Sequence, residues 1–356
     1  MSEHTQPVRI INAMAPIRVC DLGGWTDTWF AETGAVLNIG VYPYAEVQIY
    51  IVETPPGESR RITIHAENFG DRYVLDPAPI EYDRHPLIEA CIDIMNLPAN
   101  LSFEVNLYSN APAGCSTGTS AALSVALLGA TDLLCEGRMT PHEVAQTAHR
   151  VETEMLGLQC GIQDQLCSAY GGICFIEMFD YPHASVSQVH VSNSIWWELE
   201  RRLVLVYLGR THASSEVHKQ VIEGLEAPGA DKGVLVPLRE AAREGKDAIM
   251  TGDFAALGRA MVKNTAAQET LHPALVSESA KSVIDLAKAH GALGWKVNGA
   301  GGEGGSLTIL CGPESSRKRS FIQALPDIDP AFRVISTYLS RIGLRRWETI
   351  EPPPGR

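Results

Sequence analysis

The stretch Asn110-APAGCSTGTSA-Ala122 follows an alternating run over residues 101–108, in which Phe103, Val105 and Leu107 share one face. A period of two predicts a strand, and the proline- and glycine-containing segment after it predicts a turn. Small residues from about Thr119 then open a helix. Strand, small-residue turn and helix in this order let a backbone approach an anion closely. The free N–H groups and positive dipole end of the helix point at that anion. No lysine follows the glycines, so the Walker-type phosphate loop and its fold are not indicated. Thr119 or Ser120 adds a hydroxyl within reach of a metal ion. The same residues also suit a turn that packs a helix tightly on a sheet, and the segment alone does not choose between the two.

Working outward, residues 9–14, 45–53, 173–178, 203–207, 307–311 and 332–336 read as further strands. Thr140, Pro141 and Glu143 spell an N-cap, a first-turn proline and a capping box, so a helix runs from there to about Met155, and Gly157 ends it. Helical patterns follow over about 215–225, 234–250, 253–268, 275–290 and 316–325. Residues 180–200 read as a polar, irregular connection, which places a domain seam there: 1–190 and 191–356. Strands mixed with clustered helices favour α+β over a doubly wound sheet.

The chain of 356 residues is 45% apolar and 20% charged, which supports a large core and excludes wholesale disorder. A net charge of −13, from 29 basic against 42 acidic residues, argues against a nucleic-acid groove but allows a local basic pocket for a phosphorylated ligand. The richest apolar stretch, 120–134, is interrupted by Thr131 and Asp132, so no membrane span is expected. The first residues lack a basic start followed by an apolar run, which predicts a cytoplasmic protein. Eight cysteines without a CxxC pair and eleven histidines without HExxH point to neither a disulfide framework nor a transition-metal centre. A homodimer is left open.

Three more segments carry chemistry. Glu152-TEMLGLQCGIQ-Asp164-Gln165 offers one carboxylate for a metal ion and one to orient or deprotonate a hydroxyl, although isolated carboxylates also serve as solvated helix or loop residues. Asn298-GAGGEGG-Ser306 brings its backbone near a ligand or crosses tightly beside the phosphate loop. Ala15-PIRVCDLGGWTD-Thr28 gathers an arginine for phosphoryl charge, carboxylates for hydroxyls and an indole for a sugar face. Taken singly, Trp25 also reads as core and Arg18 as a surface ion pair.

Taken in order, these four segments resemble the GHMP kinases, the family of galactokinase, homoserine kinase, mevalonate kinase and phosphomevalonate kinase, from about residue 9 to residue 311. Cys160-GIQDQ-Leu166 with Gly171 and Gly172 is similar to the sugar-1-kinase branch. The resemblance implies a two-lobed α+β fold with the active site between the lobes, ATP and Mg²⁺ as cofactors, and an anomeric hydroxyl as acceptor. It makes Asp164 the catalytic base and Arg18 the basic residue beside it. Ser120 and Glu152 hold the metal. Pro112, Ala113, Gly114, Cys115, Ser116, Thr117, Gly118, Thr119 and Ser120 form the phosphate loop. Asp27 holds sugar hydroxyls, with Gly24, Trp25 and Gly301 as neighbouring substrate contacts.

Three departures from the family pattern bear on shape and substrate. Ser116 and Thr117 replace the usual glycine-leucine-glycine core of the phosphate loop. Glu303 stands inside the glycine-rich loop, where a carboxylate beside triphosphate is unfavourable unless it points away or faces the metal. Gly24-Trp25 replaces the Glu-His pair of galactokinases. GGWTD is closer to fucokinases, whereas residues 112–120 and 208–218 are closer to heptose phosphate kinases. Arg210, His212 and His218, with Ser214 and Ser215, are the groups available to a distal phosphate.

Overall fold

In the computed structural model, which describes residues 9–54, 57, 59–76, 79–135, 138–209 and 215–349, the opening strand outruns its sequence pattern. Arg9–Leu22 pairs antiparallel with Gly34–Glu53 from Arg9↔Ile51 to Leu22↔Leu37, with register shifts at Pro16/Ile17 and between Val19 and Leu22. Both strands bury residues on both faces over much of their length, which hides the alternation that marks a half-exposed strand. They are the spine of a nine-stranded sheet. Leu101–Ser109 continues it beside Gly34–Glu53, followed by Ile62–Ala66, which runs parallel, and Asp71–Leu75. Ile173–Asp180 joins the first half of Gly34–Glu53 and carries His183–Gln188 on its far side.

Helices Pro86–Asp93, Thr119–Asp132, Pro141–Arg150 and Gln163–Tyr170 pack against one another, and the phosphate-loop helix and Gln163–Tyr170 also pack on the two long strands. The capping box forms as read: Thr140 Oγ1 accepts from the Glu143 amide and the Glu143 carboxylate from the Thr140 amide. The helix then widens into a π-type turn, Val151–Met155, that carries Glu152. Such turns recur at functional sites.

A second, antiparallel sheet has the order Arg333–Ile335, Leu203–Tyr207, Ser306–Leu310, Gly294–Val297. It shares its own apolar cluster, including Val206, Leu307 and Phe321, with helices Glu278–Ala289 and Ser315–Ile328. The architecture is α+β. Residues 180–200, expected to be irregular, instead hold the strand His183–Gln188 and the helix Asn193–Arg202. Ser192 caps that helix through the Ile195 amide, and Trp196 and Leu199, three apart, bury one face. Among the described residues no helix is long and apolar enough to cross a membrane.

Candidate active site

The turn after Leu101–Ser109 stays close to the sheet because three of its residues take left-handed backbone: Gly114 at φ 71°, Ser116 at 57° and Gly118 at 67°. Gly118 is the N-cap of Thr119–Asp132 and offers no capping side chain. The amides of that first turn therefore open into the cleft that residues 113–120 line. Pro112 sits beneath, its carbonyl accepting from the Cys115 amide at 3.2 Å. Cys115 is buried, and its carbonyl accepts from the Ser306 hydroxyl at 2.6 Å.

Arg18 ties this loop to Asp164. Its amide donates to the Thr117 carbonyl at 3.0 Å and its Nη1 to the Ser116 carbonyl. Its Nε and Nη2 donate to the two oxygens of Asp164 at 2.8 and 3.1 Å, a bidentate pair. Burial works against the charge on Arg18, but Asp164 and Asp21 outweigh it and the pKa is raised. Asp164 stands in the first turn of Gln163–Tyr170, directly beneath Gly118: a β-carbon on that glycine would lie 2.9 Å from Oδ2.

The cleft has two compartments. The larger, about 610 Å³, runs from the phosphate loop to an outer end lined by Asn68, Phe69, His85 and Leu87. The smaller, about 170 Å³, is lined by Gly24, Trp25, Asp27, Glu152, Gln163 and Gln165, among others. Arg18, Ser120, Asp164, His218, Gly299 and Ala300 line both and mark the junction.

In the smaller compartment Asp27 is buried and accepts from the Gln163 amide at 3.0 Å and from Gln163 Nε2 at 3.2 Å. Burial, with Asp164 adding to it, pushes its pKa up to about 6 against those hydrogen bonds. Gly161 permits the contact, since a β-carbon there would meet Asp27 Oδ2 at 2.0 Å. Glu152 accepts from Gln165 Nε2 at 2.7 Å, and burial raises its pKa to about 7. Both glutamine amide nitrogens are thus spent on carboxylates. Gln163 Oε1, Gln165 Oε1 and the Trp25 indole N–H are buried without a partner. The Trp25 ring lies 4.9 Å from that of His218.

The glycine-rich loop crosses beside the phosphate loop: β-carbons on Gly305 and Gly299 would approach Ser116 Oγ and the Ser116 carbonyl at 2.8 and 3.1 Å. Gly301 lies further back, against the Leu275 carbonyl and Gln268, and the wall expected of it is supplied by Gly299 and Ala300. Glu303 is exposed and lines neither compartment. Arg210, His212 and Ser214 lie outside the described residues.

A hydroxyl and a carboxylate, Ser120 and Glu152, suit a hard divalent cation. Among the described residues no cluster of three His, Cys, Asp or Glu could hold a metal ion by itself. Ser120 and Glu152 both line the smaller compartment, and one hydroxyl with one carboxylate fits a magnesium ion that brings further ligands with it. The sequence pattern does not single out Gln163, Gln165 or Lys296, and it counts Asp21 only as one of two carboxylates in residues 15–28. The two glutamines flank Asp164 in the quoted motif, and that adjacency is the available signal.

An uncapped helix start, a bidentate Arg–Asp pair and a small polar chamber share one cleft, an arrangement suited to a small-molecule kinase. The family model for the GHMP kinases N terminal domain matches residues 86–172, and that for the GHMP kinases C terminal domain matches 239–326. The chain is 26% identical over 330 residues to D-glycero-alpha-D-manno-heptose 7-phosphate kinase of Campylobacter jejuni, covering 89% of this chain and 94% of that one. It is 30% identical over 250 residues to mevalonate kinase of Thermococcus sibiricus, covering 68% of each. The crystal structure of a D-glycero-D-manno-heptose 1-phosphate kinase from Bacteroides thetaiotaomicron superposes with a TM-score of 0.72 at 23% identity, covering 96% of this chain and all of that one. The chain belongs to the GHMP kinase family.

Proposed function

We propose that the protein transfers the γ-phosphoryl group of ATP to the anomeric hydroxyl of a sugar phosphate of the heptose 7-phosphate type, with lobes 1–190 and 191–356 working on either side of the cleft. The observation that carries this reading is the Arg18–Asp164 pair at the junction of the compartments. There the acceptor oxygen forms its bond to the γ-phosphorus as the bridging oxygen of ADP leaves, and an Asp164 oxygen takes the hydroxyl proton. Arg18 keeps that carboxylate oriented and offers charge to the transferring group. The amides at the start of Thr119–Asp132 cradle the phosphates, and the base rests towards Phe69 and His85. Magnesium held by Ser120 and Glu152 would neutralise charge on the β- and γ-phosphates.

The smaller compartment supports a polyol. Two bare amide carbonyls need donors and the bare indole N–H needs an acceptor, and sugar hydroxyls are both. A mevalonate-type acceptor brings its own carboxylate into a chamber that already holds those of Asp27, Glu152 and Asp164. The heptose 7-phosphate kinase relative supports a phosphorylated sugar over a free one. If Arg210 meets the distal phosphate, Arg210→Ala impairs turnover of a sugar phosphate and spares a free sugar.

ADP release with D-glycero-D-manno-heptose 7-phosphate, L-fucose and mevalonate as separate acceptors tests the reading. The heptose phosphate should give the highest kcat/KM. Preference for L-fucose would convert the assignment to a free-sugar kinase, and turnover of mevalonate alone would overturn it. Asp164→Asn should lower kcat at least about a hundredfold with ADP affinity retained. Near-normal turnover in that variant would remove Asp164 as the base.

A further inference from the structure

Behind the junction lies a charged cluster that the chemistry above leaves unused. Asp21, from Arg9–Leu22, and Lys296, from Gly294–Val297, are 0% and 1% exposed, with Nζ 3.5 Å from Asp21 Oδ1. Lys296 also donates to Gln268 Oε1 at 3.0 Å and to the Val297 carbonyl. Gln268 is likewise buried, in the helix Phe254–Leu271. Asp21 and Gln268 converge on one residue, Gly299. The Gly299 amide donates to the Asp21 carboxylate at 3.0 Å, and the Gly299 carbonyl accepts from Gln268 Nε2 at 3.1 Å. Gly299 is thus held at both polar ends by side chains from two other elements, and Lys296 locks those side chains to each other.

A buried ion pair of this kind is a weak source of net stability, because desolvation offsets most of its Coulomb gain. Its geometric consequence is larger. Gly299 and Ala300 line both compartments, and a β-carbon on Gly299 would lie 3.4 Å from Arg18 Nη2. Asp21 stands three residues after Arg18 on the same strand, across the register shift between Val19 and Leu22, so one strand carries both the phosphoryl-binding arginine and one jaw of the clamp. We infer that Asp21, Lys296 and Gln268 form a positioning unit for phosphoryl transfer, fixing the Gly299–Ala300 wall at the point where donor and acceptor meet. This inference rests on the kinase reading above. A misplacement of about 1 Å at a transfer point costs on the order of a hundredfold in rate, so a clamp at this place acts on kcat rather than on nucleotide affinity.

Two substitutions at Gln268 separate positioning from simple bracing. Gln268→Glu keeps an acceptor for Lys296 but loses the donor to the Gly299 carbonyl. Gln268→Met loses both and leaves the Asp21–Lys296 pair intact. Each is measured for melting temperature, for ADP release with D-glycero-D-manno-heptose 7-phosphate and with L-fucose, and for hydrogen exchange of residues 298–305 with ADP bound. Both variants should stay folded, exchange at Gly299 at least tenfold faster, and lose tenfold or more in kcat with KM for ATP within threefold. Folded variants with kcat within twofold of wild type, or with unchanged exchange at Gly299, would overturn the inference. If the wild type itself turns over neither sugar, the kinase reading fails separately, and the exchange measurement alone decides whether the clamp exists.

Discussion

Glu152 and Asp27 are carboxylates that burial pushes up, to about 7 and about 6, from ordinary values of 4.5 and 3.8. Between the ordinary and the raised value, the folded protein keeps a proton that the unfolded chain has released. Stability therefore falls as pH rises through that window, from about 4.5 to 7 for Glu152 and from about 3.8 to 6 for Asp27. Either group alone accounts for on the order of 3 kcal/mol at most. In chelator, the free energy of urea unfolding should decline between pH 5 and pH 7.5, and Glu152→Gln should flatten much of the slope. Magnesium with ADP should restore stability most at the upper end, where Glu152 is charged. A wild-type profile that rises over this range would remove Glu152 as a buried, protonatable ligand. At this scale the sequence is informative where an ordered motif resembles a known family. Arg18 and Asp164, 146 positions apart, are neighbours by that resemblance, whereas Arg18 taken singly reads as a surface ion pair, and the two are bidentate partners. Lys296 and Gln268 are silent, because an isolated lysine or glutamine in a helix or strand pattern reads as solvated surface. Only tertiary contacts make them internal: Lys296 with Asp21, and Gln268 with Lys296 and the Gly299 carbonyl.

Among the elements, the strand–turn–helix of residues 101–132 has a weak point at the start of its helix. Gly118 combines a left-handed φ of 67° with a β-carbon position 2.9 Å from Asp164 Oδ2. Gly118→Ala should therefore do two things: add about 1–2 kcal/mol of backbone strain, and displace the Asp164 carboxylate, the proposed proton acceptor. Gly229→Ala is the control, since Gly229 has φ 81° and nothing within 4 Å of the place a β-carbon would take. Both alanine variants should lose comparable stability in thermal melts, and only Gly118→Ala should lose tenfold or more in kcat. Equal kcat in the two would mean that the loop and Asp164 are not mechanically linked. Elements with strong local signals are legible: the Thr140 capping box and the small-residue start of Thr119–Asp132 both form where the pattern puts them. Asn193–Arg202 is not, because only Trp196 and Leu199 of its ten residues are buried and the surrounding polarity masks the period.

For the whole molecule, the closing segment re-crosses from the second sheet to the first. Tyr338–Leu339 pairs with Val41 and Tyr42, and Arg345–Glu348 pairs with the opening strand at residues 11–14. The crossing is intimate: Leu344 fills the space above Gly129, where a β-carbon would meet its Cδ2 at 2.6 Å, and Gly343 packs on the Ala169 carbonyl. Short strands with little apolar character, such as these, carry no periodic signal, so only the sheet they complete reveals them. Arg346 secures the segment. It donates to the Met139 carbonyl at 2.8 Å and pairs with Asp132, which is 3% exposed and ends the helix that begins at the phosphate loop. Arg346→Met should strand that carboxylate, with the Met139 amide still donating to it, and cost about 3–5 kcal/mol. Asp132→Asn in the same chain removes the charge while keeping an acceptor for Met139. The double variant should then recover at least about 1 kcal/mol over the sum of the singles. Recovery of stability would assign the strap's hold on the phosphate helix to this one ion pair. Strict additivity in urea unfolding would assign it instead to the apolar seam of Leu344 against Gly129, and Gly129→Ala would become the costlier change.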